Sequence, residues 1–189
     1  MFSRRKTDLF RIEKTAQQFI KESARLNYLV FTIESCTGGL IASTLTDVPG
    51  SSNAFWGGMI AYHNNIKHTV LGVPPETLSS SGAVSPQVAQ ALADGGIKLM
   101  ANAAQYDEYK NKRLICISTT GIAGPSGGSA EKPVGLCFVG LAIKDKPTTT
   151  KRICAPATFD RLQNKSFFAK SALDMAIEGI FGRLPVKSS

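Results

Sequence analysis

The stretch Tyr28 to Ile33 is apolar and β-branched, and it runs directly into Glu34-Ser-Cys-Thr-Gly-Gly39 and the periodic segment LIASTL. No other feature of the chain constrains its fold as much. A strand without polar alternation is buried on both faces, so its sheet must be covered from both sides. A strand, a glycine turn and a helix in direct succession form the first part of a β–α–β unit, which points to helices layered over a sheet.

The rest of the chain extends this pattern. Residues 8 to 25 set Leu9, Phe10, Ile12, Ala16, Phe19, Ile20 and Ala24 near the helical period, which predicts an amphipathic first helix. Pro49-Gly50 breaks the chain, Ser51-Ser52 can cap a short helix, and Gly58 to Tyr62 reads as a strand. Asn64-Asn65 precede a short helix through Leu71, and Ser85-Pro86 opens a helix to about Ala101. Arg113 to Ser118 predicts a strand that enters a glycine-rich loop, Thr119 to Gly128. Gly135 to Ile143 and Thr148 to Ala155 predict two strands that a hairpin can pair, and a last helix covers about Asp160 to Phe181. The expected fold is an α/β three-layer α/β/α sandwich with a mixed, mostly parallel central sheet, and 189 residues fit a single domain.

With 43% hydrophobic residues the chain can close a core, which excludes a disordered or collagen-like protein. The net charge of +8 leaves nucleic acid, a membrane surface or a phosphorylated small molecule as partners. The basic residues are dispersed, with Arg4-Arg5-Lys6 the main cluster and no DNA-binding motif, so the sequence argues against nucleic acid. No apolar run reaches membrane-span length, and Asp8 interrupts the basic N-terminus before a signal peptide develops, so a cytoplasmic protein with no membrane partner is expected. Cys36, Cys116, Cys137 and Cys154 form no CxxC pair and are expected to be buried free thiols. The only histidines, His63 and His68, do not match the HExxH ligand spacing, so no metal is expected.

Two loops could hold an anion. Thr37, Gly38 and Gly39 lie at the carboxyl end of the first strand, where backbone N–H groups of the following helix can approach a negative group. Close packing of strand on helix accounts for the two glycines as well. The loop beginning Thr120-Gly121 is long and polar enough to be functional, or to be a solvated connection. A serine nucleophile would need a base, and with no GxSxG elbow and two ill-placed histidines that base must be lysine or tyrosine. Tyr62 and Lys67 follow the Pro49-Gly-Ser-Ser52 segment. A lysine desolvated beside a positive helix end would lose affinity for its proton and could deprotonate the serine, while the phenol relays a proton to the leaving group. The plain alternatives are a helix-capping serine and a solvated lysine.

ESCTGGLIASTLTDVPGSS, AYHNNIK, GAVS and TTGIAGPSGGSAEKPVG, in this order, resemble the CinA C-terminal domain family, whose enzymatic members are nicotinamide-nucleotide amidases. The likeness covers about residues 10 to 182. It implies Ser52 as nucleophile, Tyr62 and Lys67 acting with it, Thr120 in the substrate pocket, and Arg161 of Phe159-Asp-Arg161 at the substrate phosphate. The implied reaction is hydrolysis of the carboxamide of nicotinamide mononucleotide to nicotinic acid mononucleotide and ammonia, without a cofactor. Where many relatives carry a further basic stretch after this arginine, the chain has Leu162-Gln-Asn-Lys165. The long CinA proteins carry an additional N-terminal domain, so the resemblance implies a stand-alone amidase. A non-catalytic pyridine-nucleotide-binding module and a competence or DNA-damage-associated protein are the alternatives, and a homo-oligomer is left open.

Overall fold

The computed structural model describes residues 12–103 and 111–182. The first-helix residues before Ile12 and the Arg4-Arg5-Lys6 cluster lie outside them. Helix α1 (Ile12–Arg25) buries Ile12, Ala16, Phe19 and Ile20 along one face, as their spacing predicts. Strand β1 (Tyr28–Glu34) is buried along its whole length. Helix α2 (Leu40–Thr46), strand β2 (Phe55–Ile60), helices α3 (Asn64–Thr69), α4 (Pro75–Ser80) and α5 (Pro86–Ala103) follow. Strands β3 (Arg113–Gly121), β4 (Leu136–Ile143) and β5 (Thr149–Cys154) and helix α6 (Arg161–Phe181) complete the fold.

The sheet order is β2-β1-β3-β4-β5, with β1 parallel to β2 and β3, and β4 antiparallel to both β3 and β5. Only β4 therefore runs against the others, and the sheet is mixed as expected. The lack of alternation in β1 has a direct cause. Tyr28 and Val30 enter a core with α1, α2 and α6, whereas Leu29, Phe31 and Ile33 enter a second core with α5 on the opposite face. Each such fully buried aliphatic or aromatic side chain contributes about 1.5–3 kcal/mol.

Local signals fix two long helices. Ser85 Oγ accepts from Val88 N–H, capping α5 ahead of Pro86. At α6, Asp160 accepts from Gln163 N–H while the Gln163 side chain accepts from Asp160 N–H, a reciprocal capping box.

Five details differ from the sequence expectation. The Ser51–Asn53 segment is a single 3₁₀ turn capped by left-handed Gly50, so Ser52 lies within the turn and caps nothing. Strand β2 starts at Phe55 and stops at Ile60. Strand β3 continues through Gly121, because Thr119, Thr120 and Gly121 pair with Val139, Phe138 and Cys137. Helix α4 carries no periodicity strong enough to predict it, and Cys154 is exposed while the other three cysteines are buried.

Candidate active site

The carboxyl ends of β1 and β3 border a cavity of about 210 Å³. At this boundary α2 leaves β1 on one face of the sheet and α5 packs on the other, the kind of switch point where open α/β sheets bind ligands. Ser35 and Cys36 line it from the end of β1, Thr120 and Gly121 from β3, and Tyr62, Asn64 and Lys67 from the segment after β2. Ala83, Val84, Ala123 and Arg161 complete the wall. Two cations and no carboxylate face the space, so its field favours an anionic ligand.

Lys67 has the least ordinary environment. It sits in the last turn of α3, only 1% exposed, and its Nζ donates to the Tyr62 carbonyl at 3.0 Å. Burial lowers its pKa from the ordinary 10.5, against an opposing influence of Cys36. The cause is desolvation and not the positive helix end anticipated from sequence, because Lys67 lies at the carboxyl end of its own helix. Both histidines have local structural bonds. The His63 ring accepts from Asn65 N–H and caps α3, and the His68 ring pairs with the Val73 carbonyl.

Tyr62 is exposed at the mouth, and its phenol oxygen accepts from Arg161 Nη2 at 3.2 Å. That bond leaves the phenol O–H available to donate elsewhere. Arg161 Nη1 donates to the Gly124 carbonyl at 2.6 Å, tying the first turn of α6 to the glycine-rich loop. Thr120 Oγ1 donates to the Ala83 carbonyl at 2.6 Å, so its proton holds the wall and only its lone pairs can meet a ligand. Gly121 is required by packing: a Cβ there would lie 2.6 Å from the Leu136 carbonyl oxygen. Cys36 Sγ and Cys137 Sγ are 3.7 Å apart, and burial together with this contact pushes the Cys137 thiol well above its usual range.

Other sequence candidates fall elsewhere. Thr37, Gly38 and Gly39 do not line the cavity. The Thr37 hydroxyl pairs with that of Thr119 at 2.8 Å, and left-handed Gly39 begins α2. The α2 amides expected to receive an anion already have one: buried Glu34 accepts from Ile41 N–H at 3.1 Å and Ala42 N–H at 2.8 Å. An internal carboxylate thus occupies the helix end that the glycine turn suggested for a ligand. Ser52 is also away from the pocket. The Ala54 carbonyl bonds Val30 N–H at the start of the β1–β2 ladder, whereas Ala61 N–H bonds the Glu34 carbonyl at its far end. Six residues of strand separate Ser52 from Tyr62, about 20 Å at the usual rise. Ser35, Cys36, Asn64 and the 83–84 wall were not singled out from sequence, although Ser35 and Cys36 lie inside the ESCTGG motif.

Residues 12–180 match the family model of the CinA C-terminal domain. The chain belongs to the CinA C-terminal domain family. A CinA-like protein of Chlorobaculum tepidum is 46% identical over 148 residues, covering 76% of this chain and 32% of that protein. One from Chloroherpeton thalassium is 43% identical over 151 residues, covering 79% and 33%. The chain thus spans about a third of the length of these curated relatives. Among solved structures, competence/damage inducible protein CihA of Agrobacterium tumefaciens superposes with a TM-score of 0.77 at 36% identity, covering 88% of this chain and 93% of that one. A competence-damaged protein (CinA) superfamily member from Escherichia coli gives a TM-score of 0.78 at 25% identity, covering 92% of both chains. The three-layer architecture is therefore the CinA architecture. Among the described residues, no helix is long and apolar enough to cross a membrane, and no group of three or more His, Cys, Asp or Glu side chains is placed to hold a metal ion.

Proposed function

We propose that this pocket hydrolyses the carboxamide of a nicotinamide nucleotide, nicotinamide mononucleotide first among them. The observation that carries the proposal is Lys67, a buried lysine of lowered proton affinity that lines an anion-favouring cavity beside a phenol. In its neutral form Lys67 takes the proton of an attacking serine hydroxyl, and the serine oxygen bonds to the carboxamide carbon. An amide nitrogen leaves only when protonated. Tyr62 donates that proton and is reprotonated from the Lys67 ammonium, so ammonia departs and an acyl-serine ester remains. Water, losing its proton to neutral Lys67, then releases the carboxylic acid and restores the serine. Arg161 supplies a guanidinium fork that suits the substrate phosphate.

Two serines compete for the attacking hydroxyl. Ser35 lines the pocket, and Ser52 is the one implied by the sequence resemblance. The test is ammonia release from nicotinamide mononucleotide by the purified protein, beside Ser35→Ala and Ser52→Ala. One ammonia per nucleotide consumed, lost in one serine variant, is the expected result. Nucleotide binding without ammonia would instead leave a pyridine-nucleotide-binding module.

A further inference from the structure

Residues 81–85 connect α4 to α5, and within them Ala83 and Val84 line the cavity. Three successive carbonyls of this segment each accept from a side chain. Lys132 Nζ donates to the Ser81 carbonyl at 2.6 Å, Ser85 Oγ to the Gly82 carbonyl at 3.0 Å, and Thr120 Oγ1 to the Ala83 carbonyl at 2.6 Å. Left-handed Gly82 makes room for the first of these, since a Cβ there would lie 3.1 Å from Lys132 Nζ. The N–H groups are treated differently. Among the described residues, none accepts a hydrogen bond from Ala83 N–H or Val84 N–H. Backbone groups withdrawn from solvent are normally paired, so two successive open donors in a half-buried cavity wall suit an acceptor that arrives from outside. The wall offers donors while its own acceptors are held by other groups.

We infer that the N–H groups of Ala83 and Val84 bind the carboxamide oxygen of the substrate and stabilise its negative charge in the transition state, and that Lys132 positions them. This role rests on the amidase proposal. The layout of the pocket assigns the two ends of the ligand. Arg161 opens α6 on one face of the sheet, whereas the 81–85 segment leads into α5 on the other. A nucleotide whose phosphate meets Arg161 therefore turns its far end, the carboxamide, toward Ala83 and Val84. As the serine oxygen bonds to the carboxamide carbon, the C=O π pair moves onto oxygen, where the two N–H donors receive it. The pair returns to re-form C=O as the C–N bond breaks and the nitrogen leaves with the proton from Tyr62. A backbone carbonyl at the same place would repel that oxygen, so tying the carbonyls to Lys132 and Thr120 matters as much as the donors. Lys132 meets no reacting atom and acts through the wall alone.

Backbone amide signals test the site without catalysis. Lys67→Met, which leaves the substrate intact, is titrated with nicotinamide mononucleotide and with ribose 5-phosphate while the ¹⁵N–¹H spectrum of the full chain is followed. The nucleotide is expected to shift the Ala83 and Val84 signals, and ribose 5-phosphate to leave them in place. If the nucleotide shifts neither signal, or ribose 5-phosphate shifts both equally, the inference fails, the second result making the wall a phosphate site. Kinetics then tests Lys132. Because the oxyanion exists only after binding, Lys132→Met is expected to lower kcat by at least about 10-fold, toward the roughly 10²–10³-fold of losing one such donor, with KM within about twofold of wild type. Lys132→Arg, which keeps a donor at that place, is expected to recover most of the loss. An unchanged kcat in folded Lys132→Met, or a loss confined to KM, overturns the positioning role. If wild type releases no ammonia while the nucleotide still shifts Ala83 and Val84, the amidase reading fails and the carboxamide-binding wall remains.

Discussion

Glu34 and Lys67 are both 1% exposed, and both stand at the carboxyl end of the parallel strands, yet their surroundings assign them different work. Glu34 faces the first turn of α2, where two backbone N–H groups fill its carboxylate. Each of its oxygens already accepts from an amide inside the protein, and it fixes the strand-to-helix turn. Lys67 makes one bond to a carbonyl and otherwise borders an open cavity, so its nitrogen keeps capacity for something that enters. Burial of a charge is thus not by itself a sign of chemistry. What separates the two is whether the protein's own groups already satisfy it.

Substitutions at the two positions sharpen this contrast. Glu34→Ala leaves two helix amides without their acceptor and opens a cavity, so chemical denaturation is expected to show a loss of about 2–4 kcal/mol. A loss below about 0.5 kcal/mol would break the structural assignment of Glu34. Lys67→Met keeps the volume and removes a buried cation, so stability at neutral pH is expected to stay within about 1 kcal/mol of wild type or to rise. A loss as large as that of Glu34→Ala would make Lys67 structural as well. The smallest effect is the pH dependence of that difference. The folded state holds the Lys67 proton less tightly than the unfolded chain, whose lysine keeps the ordinary value of 10.5. Wild type therefore gains stability relative to Lys67→Met as pH rises through the window below 10.5, and loses it as pH falls through the folded value. Parallel stability curves for the two proteins across that window would show that burial does not perturb this lysine.

The fold was legible where local chemistry and packing agree. Ser85 before Pro86 and the Asp160/Gln163 pair mark helix starts that depend on nearby atoms alone. The unbroken apolar run of β1 is legible because both of its faces meet a core. The extension of β3 through Gly121 was not, since it depends on pairing with residues 137–139, which lie beyond the loop. The same limit applied to the site. Tyr62, Lys67, Thr120 and Arg161 were named from motifs, but nothing in the polar segment His63-Asn-Asn-Ile-Lys67 signals that its lysine is buried. The glycines after Glu34 suggested an anion site because a carboxylate supplied from within the chain cannot be told, by spacing, from one brought by a ligand. Ser52 follows the same rule: sequence proximity to Tyr62 does not reveal that a whole strand stands between them.

The most direct test of the account is ammonia release from nicotinamide mononucleotide by wild type, Lys67→Met and Glu34→Gln at a temperature where all three are folded. Wild type is predicted to release ammonia, Glu34→Gln to retain most of that rate despite lower stability, and Lys67→Met to lose about 10²–10⁴-fold. Ammonia release by folded Lys67→Met at the wild-type rate would contradict it.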